Sequence, residues 1–455
     1  MNDKELKANA YETGQILLGE HQGEWIGSND DRHLFTVAGS RAGKSSTCLK
    51  PNLLLWPSSV LCIDPKGELA EATALARADM GQDVYILDPF GEVKGEASKF
   101  RASFNPLDEL RSADPDSVID DCALLADALI VPDKGGDQHW TLSAKNLVRG
   151  LMLYVLLKGG ENGSLVDLRE MITAPLGDDK DTPDGDKIWL STYFKLMMAE
   201  DEAYGGVLSG VGGTMFGKPK GERGSIISTA VEQTSFLDST PMQAHLSDSD
   251  LRPLPSLRTL KQRPTTIYMV LPASRMATHY RWFRMILTLA LSALEREPMA
   301  LPSPVLFVLE EFPQLGYMRQ IEAAAGLMAG YGVKLWTVLQ DLSQIKALYR
   351  DSWETFIGNA GIIQAFGNTD ATTLEYLSRT LGNLQIKETQ ATGATASQWS
   401  GGATGKRETM RSVPLLAPFE IAQYCARDTG KQIVLFAGKP PAYLNRLTHN
   451  QVERI

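Results

Sequence analysis

The sequence predicts an α/β protein built on a mostly parallel sheet, with an all-helical domain inserted into it. Three observations carry this reading. Short apolar, β-branched runs recur, each followed by Gly, Asp or Pro and then a helical pattern. Their hydrophobicity is continuous rather than alternating, as strands buried on both faces require. The rhythm then stops between about Asp114 and Leu254, where the chain reads as helices and loops.

The runs, in chain order, are LFTVA (34–38), SVLCID (59–64), DVYILD (83–88), TTIYMVL (265–271), PVLFVLEE (304–311), VKLWTVLQD (333–341), GIIQAFG (361–367) and KQIVLFAG (431–438). Helices such as His279–Glu297 alternate with them, which places the chain in the α/β class. Inside the interruption, SVIDDCALLADALIV and WTLSAKNLVRGLMLYVLL carry apolar residues at helical spacing. The expected division is therefore 1–113 and 255–455 for a split nucleotide-binding domain, with 114–254 as the inserted all-α domain. GDDKDTPDGDK (177–187) reads as an exposed loop. ETQATGATASQWSGGATGKRETMRS (388–412), rich in Thr, Ala, Gly and Ser, reads as a mobile loop before the last strand.

Composition narrows the class. At 455 residues the chain is long enough for two or three domains with a substantial core. A formal net charge of -10 confines any nucleic-acid contact to a local basic patch. Cys48, Cys62, Cys122 and Cys425 are far apart, form no C-x-x-C pair and read as reduced thiols in the cytosol. The polar N-terminus MNDKELKANAYETGQ has no signal-peptide core, and the longest apolar runs, such as MILTLALSAL, fall short of the ~20 residues that span a bilayer.

The first run leads into AGSRAGKSSTCLKPNLLLW, a strand–loop–helix context for the pattern G-x-x-x-x-G-K-[ST]. Ala38 occupies the first glycine position, which is tolerable wherever its φ is negative. Backbone N–H groups of Gly39, Ser40, Arg41, Ala42, Gly43, Lys44, Ser45 and Ser46 would cradle the phosphates of ATP at the helix N-terminus. Lys44 would reach the β- and γ-phosphates, and the Ser45 hydroxyl would serve Mg²⁺. The acidic partner should end a buried strand, as VLFVLEEF (305–312) does. That makes Glu310 the metal-side acid and Glu311 the base that polarises water, unless both are simply solvated at a strand end. Glu310 stands where Asp is usual, and its extra methylene moves the carboxylate by about a bond length. Gln340 is placed either to sense the γ-phosphate or to cap a strand-to-helix turn. Arg379 and Arg350 are candidates for arginines acting in trans on a neighbouring subunit's nucleotide.

The run AGSRAGKSSTCLKPNLLLWPSSVLCIDPKGE resembles the phosphate-loop region of type IV secretion coupling proteins, the TraG/TraD-type conjugation ATPases. HWTLSAKNLVRGLMLYV is similar to the start of that family's all-α domain, and VLFVLEEFPQLGYM to its Walker B segment, where Asp-Glu is usual. VLQDLSQIKALYRDSWETFIGNAG and TLEYLSRTLG resemble its late motifs, so the likeness covers roughly residues 20 to 450. The family often has alanine at the position of Ala38.

The resemblance implies a RecA-like P-loop ATPase domain that uses ATP and Mg²⁺ and assembles as a homo-hexamer. It further implies coupling of DNA, single-stranded and carrying a relaxase, or of secreted proteins and their adaptors, to type IV secretion components at the inner membrane. The family usually begins with a transmembrane anchor, so the chain is expected at the cytoplasmic face of that membrane, held by partners or by a missing anchor. Lys387, Lys406, Arg407 and Arg411 are candidates for pore contacts with DNA. A recruitment platform with little DNA pumping is the alternative; a chromosome-type DNA translocase and a small-molecule kinase fit the inserted domain less well.

Overall fold

The computed structural model describes all residues except 2, 113, 133–137, 177–188, 248–249, 392–405 and 453–455. In chain order the strands are β1 (Ile16–His21), β2 (Glu24–Ser28), β3 (His33–Ala38), β4 (Val60–Asp64), β5 (Asp83–Leu87), β6 (Arg101–Ser103), β7 (Arg252–Pro253) and β8 (Thr265–Val270). They continue with β9 (Val305–Leu309), β10 (Val333–Leu339), β11 (Ala360–Phe366), β12 (Asn383–Ala391), β13 (Lys406–Pro414), β14 (Lys431–Phe436) and β15 (Lys439–Asn445).

Among the described residues, thirteen of these form one sheet in the order β2-β1-β15-β14-β11-β3-β10-β9-β4-β8-β5-β6-β7. From β11 to β7 all neighbours run parallel, whereas β14, β15, β1 and β2 add an antiparallel edge. Alternate residues of a strand feed separate cores. On β3, Phe35 and Val37 join the larger core, while Leu34 and Ala38 join the second. Every residue of β3, β4 and β9 is buried, which explains their unbroken hydrophobicity.

Helices fill the span between β6 and β7, among them Val118–Leu129, Gln138–Lys158 and Lys220–Gln233. They pack onto the larger core together with the long helix Ala273–Arg296. The helices begin earlier than residue 114, at Pro106–Arg111, and Arg252–Pro253 is a strand rather than part of the helical segment.

Two sequence expectations are corrected. KQIVLFAG is not the last strand, because β15 follows it and pairs back on it. The described parts of 388–412 are not an irregular loop; they belong to β12 and β13, which pair from Asn383↔Pro414 to Ala391↔Lys406. Polar composition concealed this ladder, since the described side chains of its two strands, 383–388 and 409–414, lie outside the main core and are almost all exposed. The loop read at 177–187 lies outside the described residues, as do the side chains of Lys406 and Arg407.

One side chain braces the seam between sheet and phosphate-loop helix. Arg77 is 0 % exposed. Its guanidinium donates to the carbonyls of Leu53, Trp56 and Ser58 and to Thr266 Oγ1. Those carbonyls end the Lys50–Leu55 helix and enter β4, so removing Arg77 leaves several buried acceptors unpaired. Arg77→Ala should lower the stability by about 4 kcal/mol, read as a lower urea midpoint with unchanged m-value.

Candidate functional site

β3 ends at Ala38, whose φ is not positive, so the position where the motif has glycine accepts alanine. The left-handed positions of the loop are Arg41 (φ 55°) and Gly43 (φ 93°). Gly39 cannot be enlarged, since a Cβ there would lie 2.0 Å from the carbonyl oxygen of Gly367 at the end of β11. The loop is held from behind by Arg446, which follows β15. Its guanidinium donates to the carbonyls of Ala42 and Arg427 and lies 4.5 Å from the centre of the Phe366 ring. With the Ala42 carbonyl turned back onto Arg446, that acceptor is kept away from an incoming anion.

The helix after the loop opens with a turn of π-helix, Ser45–Leu49, in which Lys50 N–H bonds the Ser45 carbonyl. Pro51 has no N–H to continue an i→i−4 ladder, which accounts for the wide turn. Asn52 then anchors the helix to β1, accepting from Leu17 N–H (2.8 Å) and donating to the Leu17 carbonyl (2.9 Å).

Acidic groups meet the loop from two adjacent strands. Glu310 and Glu311 follow β9, and Asp64 ends β4. Ser45 Oγ donates to Glu310 Oε1 at 3.0 Å, so the longer glutamate arm reaches the hydroxyl. Asp64 Oδ2 accepts from the N–H groups of Leu69 (2.9 Å) and Ala70 (2.8 Å), while Oδ1 is buried with no hydrogen-bond partner among the described residues. Burial, reinforced by Asp64, pushes the Glu310 carboxyl up to about 8, against the opposing Ser45 hydrogen bond. Burial also raises Asp64 to about 6, opposed by its backbone N–H donors. This donor set fits a hard divalent cation: two oxygens already face each other across Ser45 and Glu310, and a buried carboxylate oxygen stands free at the end of the neighbouring strand.

Glu311 occupies a left-handed conformation (φ 53°). Its carboxylate lies 3.8 Å from Lys44 Nζ and accepts from Gln340 Nε2 at 3.3 and 3.2 Å. Lys44 Nζ also donates to the Ala38 carbonyl at 3.2 Å. Gln340 is itself fixed, its N–H reaching Gln344 Oε1 and its carbonyl accepting from Asn368. A left-handed glutamate is costly in isolation and persists where neighbours over-determine it.

These groups border a cleft of about 540 Å³ lined by Ser40 to Ser46, Glu311 and Gln340. Gly39 lies beneath the loop rather than on the cleft wall, and Glu310 is set deeper beside Ser45. Arg379 and Arg350 are exposed and do not line the cleft of their own chain. Sequence reasoning missed Asp64, Arg446 and the wall residues Lys66, Glu68 and Gln314. The DPKGE run was the available signal for three of them; nothing marked Arg446, which lies 402 residues beyond Lys44 in the chain and is joined to the loop only by the fold.

A family model described as "Type IV secretory system Conjugative DNA transfer" matches residues 1–454. The conjugal transfer protein TraG of Escherichia coli is 28% identical over 441 residues, covering 90% of this chain and 66% of that protein. Protein VirD4 of Agrobacterium fabrum is 23% identical over 444 residues, covering 94% of this chain and 60% of that one. The chain thus spans less than two thirds of the length of these relatives. In fold it is similar to the bacterial conjugative coupling protein TrwBdeltaN70 (TM-score 0.67, 16% identity, 98% of this chain and 92% of that one). It is also similar to TrwB solved in complex with ADP and Mg2+ (TM-score 0.65, 16% identity, 98% and 93%).

The raised Glu310 carboxyl has a stability consequence. Below about pH 4.5 it is protonated folded and unfolded alike. As pH rises the unfolded chain releases the proton and the folded chain keeps it, so stability falls until about pH 8. Glu310→Gln removes this term. Its stability relative to the parent should therefore grow by about 1 kcal/mol per pH unit between pH 6.5 and 8, measured by denaturant unfolding without divalent cations.

Proposed function

We propose that this chain, which belongs to the type IV secretory system conjugative DNA-transfer family, is an ATP-driven coupling protein. It brings DNA, single-stranded and carrying a relaxase, or secreted proteins and their adaptors, to a type IV secretion system and drives their transfer. One observation supports this most strongly: the phosphate loop, the Ser45–Glu310 pair and the Glu311–Gln340 pair converge at the C-terminal ends of adjacent parallel strands. Open α/β sheets bind ligands at such ends.

The geometry supports the following residue roles. The N–H groups of the loop would bind the phosphates, and Lys44, 3.8 Å from Glu311, would turn to the β- and γ-oxygens. Released from Lys44 but still held by Gln340, Glu311 accepts the proton of the attacking water. Gln340 thereby acts through Glu311 and faces the γ-phosphate. Ser45 and Glu310, with Asp64 behind them, would hold Mg²⁺, which neutralises charge shared between the β- and γ-phosphates when bound.

Several further parts of the reading need neighbouring copies or partners. In a homo-hexamer, Arg379 or Arg350 would enter the next subunit's cleft as the arginine acting in trans. Lys387 and Arg411 are exposed on β12 and β13, where they would grip DNA phosphates together with Lys406 and Arg407. No helix among the described residues is long and apolar enough to cross a membrane. We place the working protein at the cytoplasmic face of the inner membrane, joined to secretion components or held by an anchor segment.

ATP hydrolysis by the purified protein should rise with single-stranded DNA and lose that stimulation as salt is raised. Lys44→Ala should abolish turnover. Glu311→Gln should bind nucleotide normally and turn over about 100-fold more slowly or worse. Nucleotide binding with turnover that ignores DNA would replace this reading with a recruitment platform.

A further inference from the structure

Arg284 lies in the middle of the long helix Ala273–Arg296 and is 4 % exposed, yet no carboxylate bonds its guanidinium among the described residues. It is satisfied by three carbonyls instead. Nε donates to Ala128 at 3.1 Å, and Nη1 donates to Leu315 at 2.8 Å and to Tyr317 at 2.7 Å. Burying an arginine among carbonyls alone is expensive, so its partners are informative.

They belong to two different parts of the molecule. Ala128 sits in the last turn of the Val118–Leu129 helix, where carbonyls lack intrahelical donors and a cation is favoured. Leu315 and Tyr317 flank Gly316, which closes the short turn that starts at Glu311. Gly316 has φ 69° and ψ −170°, a conformation open essentially to glycine, and a Cβ there would meet nothing within 4 Å. Gly316 is therefore a backbone joint, and one guanidinium nitrogen grips the carbonyl on either side of it. At the other end of the turn, Gln314 N–H bonds the Glu311 carbonyl at 2.8 Å, and Gln314 lines the nucleotide cleft.

The long helix holds the helical segment at a second point one turn earlier. Arg281 Nη2 donates to Gln233 Oε1 at 2.7 Å, and that oxygen also accepts from Val131 N–H at 3.0 Å. Gln233 ends the Lys220–Gln233 helix, so the helical segment is tied to the long helix at Ala128 directly and at Val131 through Gln233, on either side of residues 129–130.

We propose that Arg284 is a positioning residue that couples the helical segment to the hydrolytic turn, setting Glu311 according to the placement of the Val118–Leu129 helix. The proposal rests on the reading of Glu311 as the base. Movement of that helix end, produced by a macromolecular substrate on the helical segment, would shift the Gly316 joint and with it the left-handed Glu311. Filling the nucleotide cleft would send the same change in reverse, as linkage requires.

Amide hydrogen exchange on the full chain, with and without a non-hydrolysable ATP analogue and Mg²⁺, tests this without needing turnover; analogue binding is measured separately by calorimetry. In the parent protein the analogue should slow exchange in 312–318 and also in 126–131, by about tenfold in each. Arg284→Met and Arg284→Lys should bind the analogue with Kd within about threefold of the parent and keep the response in 312–318. Both should lose the response in 126–131, because neither a thioether nor a single ammonium can span the carbonyls. A merely structural Arg284 would instead speed exchange along the whole long helix and leave the response in 126–131 in place. The proposal is overturned if 126–131 of the parent ignores the analogue, a result available even if both variants fail to fold, or if either variant retains that response. Failure of the parent to bind the analogue at all would remove the nucleotide reading and this coupling with it.

Discussion

Two carboxyl groups at the ends of adjacent strands govern the site. Asp64 ends β4 and Glu310 follows β9, strands that pair in parallel register from Val60↔Leu306 to Ile63↔Leu309. Each is buried, which raises its proton affinity; Asp64 raises that of Glu310 further, and Glu68 that of Asp64. Among the described residues neither is paired with a basic side chain at hydrogen-bond distance, so both cannot be charged together at low cost. The cleft resolves this with a proton or with a cation. A site built so that it is electrostatically incomplete alone is suited to binding a metal–nucleotide pair, whose own charge completes it.

The fold supplies that arrangement through parallel pairing. β11, β3, β10, β9 and β4 are consecutive neighbours, so their C-terminal ends deliver Gly367, the phosphate loop, Gln340, the glutamates and Asp64 to one edge. The remaining framework keeps those ends in place. Asn52 ties the phosphate-loop helix to β1, Arg77 ties its end to β4 and β8, and Arg446 fixes the loop from the antiparallel edge. The antiparallel strands added by the chain termini therefore do more than cover an edge, since β15 brings Arg446 under the loop.

Much of this was legible in the sequence because it is local. Eight apolar runs, the glycine-lysine-serine loop and the Glu310–Glu311 pair each announce themselves within a few residues, and the fold places the loop and the glutamates together. What escaped is of two kinds. Arg446, Arg284 and Arg77 act on carbonyls that are distant in sequence, and an arginine facing a carbonyl looks like any solvated arginine until the chain is folded. Short or polar strands such as β6, β7, β12 and β13 lack the hydrophobic continuity that reveals a buried strand. Asp64 is intermediate: its place at the end of SVLCID was visible, but its capping bonds to Leu69 and Ala70 and its neighbour Glu310 required the sheet order. Pro51 shows the opposite case, since a residue that reads as a helix breaker instead widens one turn of the phosphate-loop helix.

The central claim is that the Glu310–Asp64 pair holds a proton that a metal–nucleotide complex displaces. Calorimetric titration with Mg²⁺ and a non-hydrolysable ATP analogue at pH 7, repeated in buffers of different ionisation enthalpy, measures that proton directly. The account predicts release of about one proton per nucleotide bound, following from a Glu310 carboxyl raised to about 8, and its disappearance in Glu310→Gln. Binding whose heat is independent of the buffer would contradict it, and would mean that the acids beside Ser45 are already charged before the nucleotide arrives.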